Sequence, residues 1–167
     1  MSIVTRLENE IKGLENRRLE LLEQLELEKS KQEIEIPFKV GNEYFVIQKS
    51  GRVTRDHWNV LPYHSDIFLQ GNAFHSKKEA KRECEKRILL TKFRQFRDKC
   101  NGDWKPDFDN FGESKYYIIF THRKKLHAEW TGCTNPLSQF GCFKNEKDCE
   151  RAIELFGDEI KRLYVEE

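Results

Sequence analysis

Apolar residues recur at heptad spacing along the first part of the chain, so that one of them returns to the same helical face every three or four residues. Leu, Glu, Lys, Gln and Arg dominate this stretch, and all of them favour helix. The pattern predicts a helix over residues 3–32. A lone helix would leave this stripe in water, so we expect a coiled coil. Its predicted seam is Val4, Leu7, Ile11, Leu14, Arg18, Leu21 and Leu25.

Two partners are open to this helix. It either folds back on its own chain or pairs with a second copy as a homodimer, which the periodic seam favours. Arg18 is the one seam position that is not apolar, and Glu10 would face Glu15 of a parallel partner. That like-charge pairing weakens a parallel arrangement and leaves an antiparallel one open. Pro37 restricts the residue before it to extended conformations, so the helix should end before Ile36.

The next stretch has the composition of strands separated by turns. We expect a first strand over residues 43–48, a turn over 49–52 and a returning strand over 53–60, because aromatic and β-branched residues flank a Gly-containing turn. A third strand is predicted near residues 66–69. The three would form a small antiparallel sheet.

A helix should follow this sheet. Ser76 and Glu79 have the spacing of a capping box, which marks a helix start, and Asn101-Gly102 predicts an end near Lys99. The helical period then selects the side that faces the sheet. Its predicted inward residues are Ala80, Cys84, Ile88, Leu89, Phe93 and Phe96.

The last third of the chain repeats this order. Strands are predicted over residues 115–120 and 126–131, with a turn over 122–125. Asn145 and Asp148 stand where Ser76 and Glu79 stood, so another helix should begin there. Its predicted inward residues are Cys149, Ala152, Ile153, Phe156, Ile160 and Leu163.

Aromatic residues recur at nearly constant separation across these two stretches. Two pairs are 72 residues apart and a third is 69 apart, so a three-residue difference in one loop reconciles them. The spacing predicts a duplicated β-β-β-α module. The expected α+β protein has a coiled-coil helix (1–36) and two tandem modules (37–103 and 104–167), packed together because each core is small. The aromatic pairs are Phe45 with Tyr117, Trp58 with Trp130, and Phe74 with Phe143.

Composition limits the cellular compartments in which we expect the protein. The 167 residues contain no apolar run of the roughly 18 needed to cross a bilayer, and no basic-then-apolar leader precedes the first charged helix. We therefore expect a cytoplasmic protein with no membrane partner. Five cysteines, an odd number, suit reduced thiols in a reducing compartment.

Charge is distributed unevenly. Residues 1–36, 37–103 and 104–167 carry net charges of −3, +6 and −2, so the first module is basic and the second mildly acidic. The basic helix and its neighbouring hairpin could bind phosphates or an acidic partner. The alternative, which we favour for the helix taken alone, is a solvated face with internal Glu–Lys pairs. The candidate binding residues are Lys49, Arg52, Arg55, Lys77, Lys78, Lys81, Arg82 and Arg94.

Motifs for metal binding and catalysis do not occur. There is no Cys-x-x-Cys, His122 and His127 are five residues apart in a predicted hairpin, and the cysteines have no zinc-site spacing. Cys133 lies near His127 in sequence but in no nucleophile signature. The sequence therefore predicts no metal, no cofactor, no catalytic residues and no enzymatic activity.

Two resemblances follow from these motifs. An aromatic strand, a Gly turn, the segment Gly71-Asn72-x-Phe74-x-Ser-Lys-Lys-Glu-Ala and, after a charged helix, Asp103-Trp-Lys-Pro leading to Lys115-Tyr-Tyr-Ile-Ile resemble accessory proteins of phages and prophages of Gram-positive bacteria, over about residues 42–164. That resemblance implies a phage origin and an anti-defence role, of which anti-CRISPR inhibitors are examples.

The second resemblance is local. Phe74-x-Ser-Lys-Lys-Glu-Ala after short strands is similar to the arm-type DNA-binding domain of phage integrases, whose three-stranded sheet enters the major groove. It implies that Lys49, Arg52 and Arg55 reach DNA from the hairpin. An integrase catalytic domain is missing, and the second module is acidic, so only DNA binding carries over.

Together these features lead to one expected function and one alternative. The first is a phage-encoded, non-enzymatic homodimer that inhibits a host protein, such as a defence nuclease of the CRISPR-effector type, in the host bacterial cytoplasm. The alternative is a nucleic-acid-binding accessory protein that uses the basic helix and hairpin of the first module.

Overall fold

The structure is a computed structural model that describes residues 3–32, 35–122 and 124–166. The chain divides into two compact units, Met1–Lys39 and Val40–Glu167, which are described separately below. The expected mixed α+β character, with an N-terminal helix followed by small antiparallel sheets and further helices, is confirmed. In chain order the elements are α1 (Ile3–Gln32), β1 (Glu43–Ile47), β2 (Val53–His57), α2 (Pro62–Leu69), β3 (Ala73–Phe74), α3 (Lys77–Asn101), β4 (Lys115–Phe120), β5 (Leu126–Thr131) and α4 (Glu146–Ile160), followed by a π-helical segment (Lys161–Val165).

The first unit is dominated by α1, which covers the predicted range of residues 3–32. Its 30 residues correspond to a rod of about 45 Å at 1.5 Å per residue. Arg17 donates a 2.8 Å hydrogen bond to Glu20 one turn further on, a surface ion pair typical of an exposed helix. Residues 33 and 34, between the predicted helix and the extended segment before Pro37, lie outside the described residues.

The first sheet of the second unit has the strand order β2-β1-β3, and all its pairs are antiparallel. Glu43 lies opposite His57 at the open end of the β1–β2 hairpin, and Ile47 lies opposite Val53 next to the turn. β2 therefore ends at His57, three residues earlier than predicted. Phe74 of β3 lies opposite Phe45 on the other edge of β1.

The prediction of a third strand near residues 66–69 is wrong, because these residues belong to α2. Pro62 occupies the first turn, where its missing N–H costs nothing and its fixed φ suits a helix. Leu61 before it is extended, and the Asn59 side chain accepts a 2.9 Å hydrogen bond from the Leu61 amide. The third strand is the two-residue β3 instead.

Helices α2 and α3 cover opposite faces of this sheet. The Tyr44 hydroxyl and the Nδ1 atom of His64 in α2 lie 3.0 Å apart and share a hydrogen bond. Helix α2 therefore covers the sheet face that carries Tyr44. Val53 projects from the opposite face by strand alternation and lines a groove with Lys77 and Lys81 of α3. Sheet and helices thus form three layers.

Helix α3 begins with the predicted capping box. The Glu79 amide donates to the Ser76 hydroxyl at 3.1 Å, and the Ser76 amide donates to the Glu79 carboxylate at 3.2 Å. The helix ends at Asn101, two residues later than predicted.

Most of the predicted inward face of α3 is correct. Ala80, Leu89 and Phe93 are buried, and Cys84 and Phe96 are partly buried. The prediction for Ile88 is wrong, because its side chain is half exposed. The side chains of adjacent helical residues point about 100° apart around the helix axis. When Leu89 and Phe93 face the core, Ile88 therefore faces the side of the helix.

Among the described residues, the second sheet consists of β4 and β5, which have the predicted ranges. A single antiparallel bridge joins Tyr116 of β4 to Phe143 at the position of a third strand. Helix α4 follows at Glu146, as expected, but the Asn145 side chain makes no capping hydrogen bond and donates to the Asp148 carboxylate at 3.1 Å instead.

One hydrophobic core joins α3 to the second sheet and α4. The Phe93 ring of α3 contacts the Phe140 ring with their centroids 4.8 Å apart, in an edge-to-face arrangement. The predicted α4 face is correct: Ile153 and Phe156 are partly buried and the rest are buried. The buried members of this core are Leu89, Phe93, Phe140, Phe143, Cys149, Ala152, Ile160 and Leu163.

The paired tryptophans differ in environment. Trp58 follows β2 and is 5% exposed, with its ring against Tyr44 and His64. Trp130 lies inside β5 and is 61% exposed. Their equal spacing along the chain therefore does not translate into equal packing.

Candidate binding surfaces

The predicted seam of α1 forms an exposed apolar stripe. Its six apolar side chains, Val4, Leu7, Ile11, Leu14, Leu21 and Leu25, are each 50–67% exposed. Arg18 continues the same stripe and is also exposed. Exposed apolar area of this kind marks an interaction surface.

A second candidate surface is the groove between the β1–β2 turn and the first turns of α3. It has a volume of about 420 Å³ and brings together three of the predicted basic residues, Arg52, Lys77 and Lys81. None of the three forms an ion pair with a described residue. The groove also contains Glu85, whose carboxylate accepts a 2.7 Å hydrogen bond from Arg162. We call this groove, which is defined by the cations Arg52, Lys77 and Lys81, the basic groove.

Other predicted basic residues are placed elsewhere. Lys49 is exposed in the β1–β2 turn, and Lys78 lines a neighbouring cavity of about 370 Å³ with Arg82 and Arg162. Arg94 is exposed on α3, about 25 Å along the helix from its start. It does not belong to the basic groove.

Several arginines are held by groups within the second unit. Arg82 donates to the carbonyl oxygens of Leu163 and Glu166, and Arg55 donates to the Glu43 carboxylate at 3.1 Å. Arg97, which the sequence did not single out, donates to the Phe140 carbonyl at 2.9 Å. These guanidinium groups connect distant parts of the chain.

Arg87 has a similar structural role. It donates to the Glu83 carboxylate at 3.0 Å, to the Asn72 side chain at 2.6 Å and to the Gly71 carbonyl at 2.7 Å. It thereby fixes α3 to the turn before β3. Three of the ten basic residues of α3, Arg82, Arg87 and Arg97, therefore bond within the fold, which a count of charges along the sequence cannot reveal.

The sheet face beneath α2 contains a buried aromatic cluster. His64 lies among Tyr44, Trp58 and Tyr63, and no exposed surface of its side chain remains. Burial, together with the nearby Asp56 and Tyr63, raises the pKa of Tyr44 to about 12. Helix α2 therefore covers this face of the sheet.

Lys115 is a buried ammonium group that sequence reasoning missed. Its Nζ atom donates to the carbonyl oxygens of Asn110, Glu113 and Gly132 at 2.7–2.8 Å, and the Glu113 carboxylate lies 4.0 Å away. All three N–H groups are thus satisfied, as a buried charge requires. It joins β4 to the loops on either side, and only its place in a strand of large apolar residues hinted at burial.

The cysteines occupy different environments. Burial raises the pKa of Cys149 to about 12 and also raises that of Cys142. Cys133 is exposed in the loop after β5, and its sulfur lies 3.9 Å from the Thr134 hydroxyl; no hydrogen bond joins it to His127 in the described part of the chain. Cys84 is partly exposed, not buried as its helical position suggested.

Within residues 3–32, 35–122 and 124–166, no three His, Cys, Asp or Glu side chains lie close enough together to hold a metal ion. Over the same ranges, every helix is too short or too polar to span a bilayer. No family model, curated protein or solved structure matches the chain.

Proposed function

We propose that the protein is a non-enzymatic binding protein that self-associates through α1 and presents its second unit to a macromolecular partner. The observation that carries this proposal is the apolar stripe of α1, whose six apolar seam residues are at least half exposed. Burying such side chains against a second copy contributes about 25 cal/mol per Å² of apolar area removed from water. Pairing would also raise the effective concentration of the second unit at a two-site target.

Analytical ultracentrifugation of two matched variants tests self-association. Leu14, a seam residue, is 67% exposed, and Leu19, outside the seam, is 60% exposed. We expect Leu14→Asp to give a monomer and Leu19→Asp to leave the wild-type mass unchanged. Equal masses for all three proteins would contradict pairing through the seam. Arg18→Leu should tighten association, because it removes the one charged seam position.

We propose further that the partner is a host protein, which the chain inhibits by stoichiometric binding. The support is the resemblance of residues 42–164 to phage accessory proteins, together with the number of exposed apolar side chains on the second unit, among them Phe111 and Leu137. A defence nuclease of the CRISPR-effector type is the class to test first. Affinity capture from host lysate with mass spectrometry identifies the partner, and inhibition that continues at sub-stoichiometric amounts would argue against a blocking mode.

The basic groove favours nucleic acid as a second candidate partner. Arg52, Lys77 and Lys81 present three cations with no described ion pair, so phosphate contacts would release counterions and weaken steeply with salt. A salt series with duplex and single-stranded DNA should show this dependence. Lys77→Gln with Lys81→Gln should weaken binding, whereas the exposed control pair Lys144→Gln with Lys147→Gln should not.

For the second unit we also propose an origin by duplication of a three-strand-plus-helix module. A hairpin, a segment that pairs with its first strand and a helix follow one another twice, with β3 in the first half and Phe143 in the second. Superposing β1, β2 and α3 on β4, β5 and α4 tests this origin. A helix that crosses the two hairpins with opposite hand would exclude it.

A further inference from the structure

The outer edge of β5 is open for hydrogen bonding. In the part of the chain that the structure describes, β5 pairs with β4 and with no other strand. Tyr116 of β4 exchanges both backbone hydrogen bonds with Phe143, at 2.9 and 2.7 Å, so its amide and carbonyl point away from β5. In an antiparallel pair the opposite residue, Trp130, then also points its backbone groups away from its partner strand, and so does Ala128 two residues earlier. Ala128 has no backbone partner on that side among the described residues.

Apart from Glu129, whose carboxylate accepts a 3.1 Å hydrogen bond from the outward Trp130 amide, this edge lacks the devices that usually protect an edge strand. β5 contains no proline, lysine or bulge, and its six residues pair in unbroken register with β4. Unprotected edges readily accept another strand. The backbone of Ala128 therefore offers one donor and one acceptor to an extended peptide.

A groove of about 320 Å³ lies between this strand and α4. Leu126 and Ala128 contribute its strand side, and Ile153 with Glu150 and Glu154 contribute its helix side. Since a Cβ placed on Gly157 would lie 3.4 Å from Leu126, α4 and β5 are in contact beside the groove. A strand added at the β5 edge would thus have a helix alongside it.

The negative charge of α4 favours a peptide with basic side chains. Glu146, Glu150 and Glu154 are exposed, four residues apart, and unpaired with any described cation. Carboxylates four residues apart on a helix are separated by about 6.0 Å of rise, and alternate residues of a strand by about 6.6 Å. Basic side chains at every second position of a strand therefore match this row of glutamates.

The side of the groove that β5 contributes also fits a peptide with alternating basic residues. The aliphatic stem of a lysine or arginine can lie over Ala128 and Ile153 while its charge reaches a glutamate. Trp130 projects from the same face of β5 two residues further on and is largely exposed, so its ring can receive a further cation.

We propose that the groove between β5 and α4 binds an extended peptide segment that carries lysine or arginine at every second residue, by adding it as a strand to the edge of β5. Main-chain hydrogen bonds to Ala128 set the register. The glutamate row of α4 sets the preference for alternating basic residues.

A synthetic seven-residue peptide that alternates lysine and threonine tests this site on the full-length protein. Titration followed by amide chemical shifts and Trp fluorescence should move the Ala128 and Trp130 signals first. A peptide of the same composition with its four lysines contiguous is the control, and it should bind more weakly. No saturable change at Ala128 with the alternating peptide, or equal binding of both peptides, would overturn the proposal.

Two matched double variants test the charge. Glu150→Gln with Glu154→Gln should weaken binding by about three- to tenfold, the effect of two partly solvated ion pairs. Asp158→Asn with Glu159→Gln removes the same charge from exposed positions outside the groove and should leave binding unchanged. Equal weakening of peptide binding by both double variants would mean that net charge alone attracts the peptide. That result would overturn a site at the groove.

Ala128→Pro tests the backbone, because it removes the outward N–H and none of the β4–β5 hydrogen bonds. It should abolish peptide binding while circular dichroism stays unchanged; if it unfolds the protein, the glutamate variants decide alone. Concentration-dependent shifts at Ala128 without peptide would instead assign the edge to a second copy of this chain.

Discussion

The two halves of the second unit, β1 to α3 and β4 to the π-helical segment, use the same succession of hairpin and helix but close it differently. In the first half α2 lies on the sheet face opposite α3 and buries Trp58 with His64. In the second half no helix lies between β5 and Phe143, and Trp130 remains exposed beside an open strand edge. The first half thus contains a short helix, α2, that has no counterpart between β5 and Phe143 in the second half. Substitutions at positions 72 residues apart test this contrast.

The largest effect is expected at the two tryptophans. Trp58→Ala should lower the free energy of unfolding by about 3–5 kcal/mol, because it leaves a cavity beneath α2. Trp130→Ala should cost less than about 1 kcal/mol, because the ring is mostly in water. Urea denaturation followed by circular dichroism measures both. Similar losses at the two sites would remove the contrast in packing.

The next effect concerns the first residue of each hairpin. Lys115→Met leaves three carbonyl oxygens without their donor, so we expect a loss of about 3 kcal/mol. Glu43, 72 residues earlier, is exposed and pairs with Arg55 at the surface. Glu43→Gln should therefore change stability by about 0.5 kcal/mol or less. The two urea midpoints distinguish these outcomes, and an unaffected Lys115→Met protein would refute the structural role of the ammonium group.

A smaller effect should appear at Tyr44. Tyr44→Phe removes the hydroxyl that bonds His64 and should cost about 1–2 kcal/mol at neutral pH. The raised pKa of Tyr44, about 12 against an ordinary 10, makes the folded state hold its proton more tightly. Its contribution is therefore complete below pH 10 and is lost as the pH rises towards 12.

Urea midpoints at pH 8 and pH 10.5 check this dependence. The wild type should lose more stability over this interval than Tyr44→Phe does. Tyr116→Phe, at the matching position of the second half, is the control for removing a tyrosine hydroxyl. A pH response of Tyr44→Phe as steep as that of the wild type would rule out Tyr44 as the source.

The smallest effect is on reactivity, not stability. Cys133 lies exposed in the loop that has no helix, so it should react first with a thiol reagent at pH 8. Cys142 and Cys149 should react only on unfolding, since burial raises the pKa of both thiols. Cys133→Ser should remove the fast phase. Persistence of that phase in the variant would place an accessible thiol elsewhere.

Sequence periodicity was sufficient for the parts of the fold that local interactions decide. The range of α1, the capping box at Ser76 and the strands β4 and β5 follow from nearest neighbours along the chain, and all are confirmed. The error at residues 66–69 arose because Ile67, Phe68 and Leu69 read equally well as a buried strand or a buried helix. Pro62 was the available signal for a helix start.

Binding surfaces were less predictable, because they depend on which charges are already used. Arg82 was a candidate binding residue in the sequence, yet carbonyl groups up to 84 residues away accept its hydrogen bonds. The edge of β5 is open because no other described strand pairs with it, and no local sequence pattern predicts which strand will lack a neighbour. The apolar stripe of α1 was predictable because its period lies within one helix, and its use as a dimer seam stays a prediction.

Helix α3 has a consequence for how such a chain can change in evolution. Its first turns cover the β1–β2 hairpin, while Leu89 and Phe93 further along belong to the core shared with α4. Deleting residues 104–167 would leave those side chains without partners, so we expect that neither half of the present chain folds without the other. Recombination that cuts between them should therefore yield insoluble fragments.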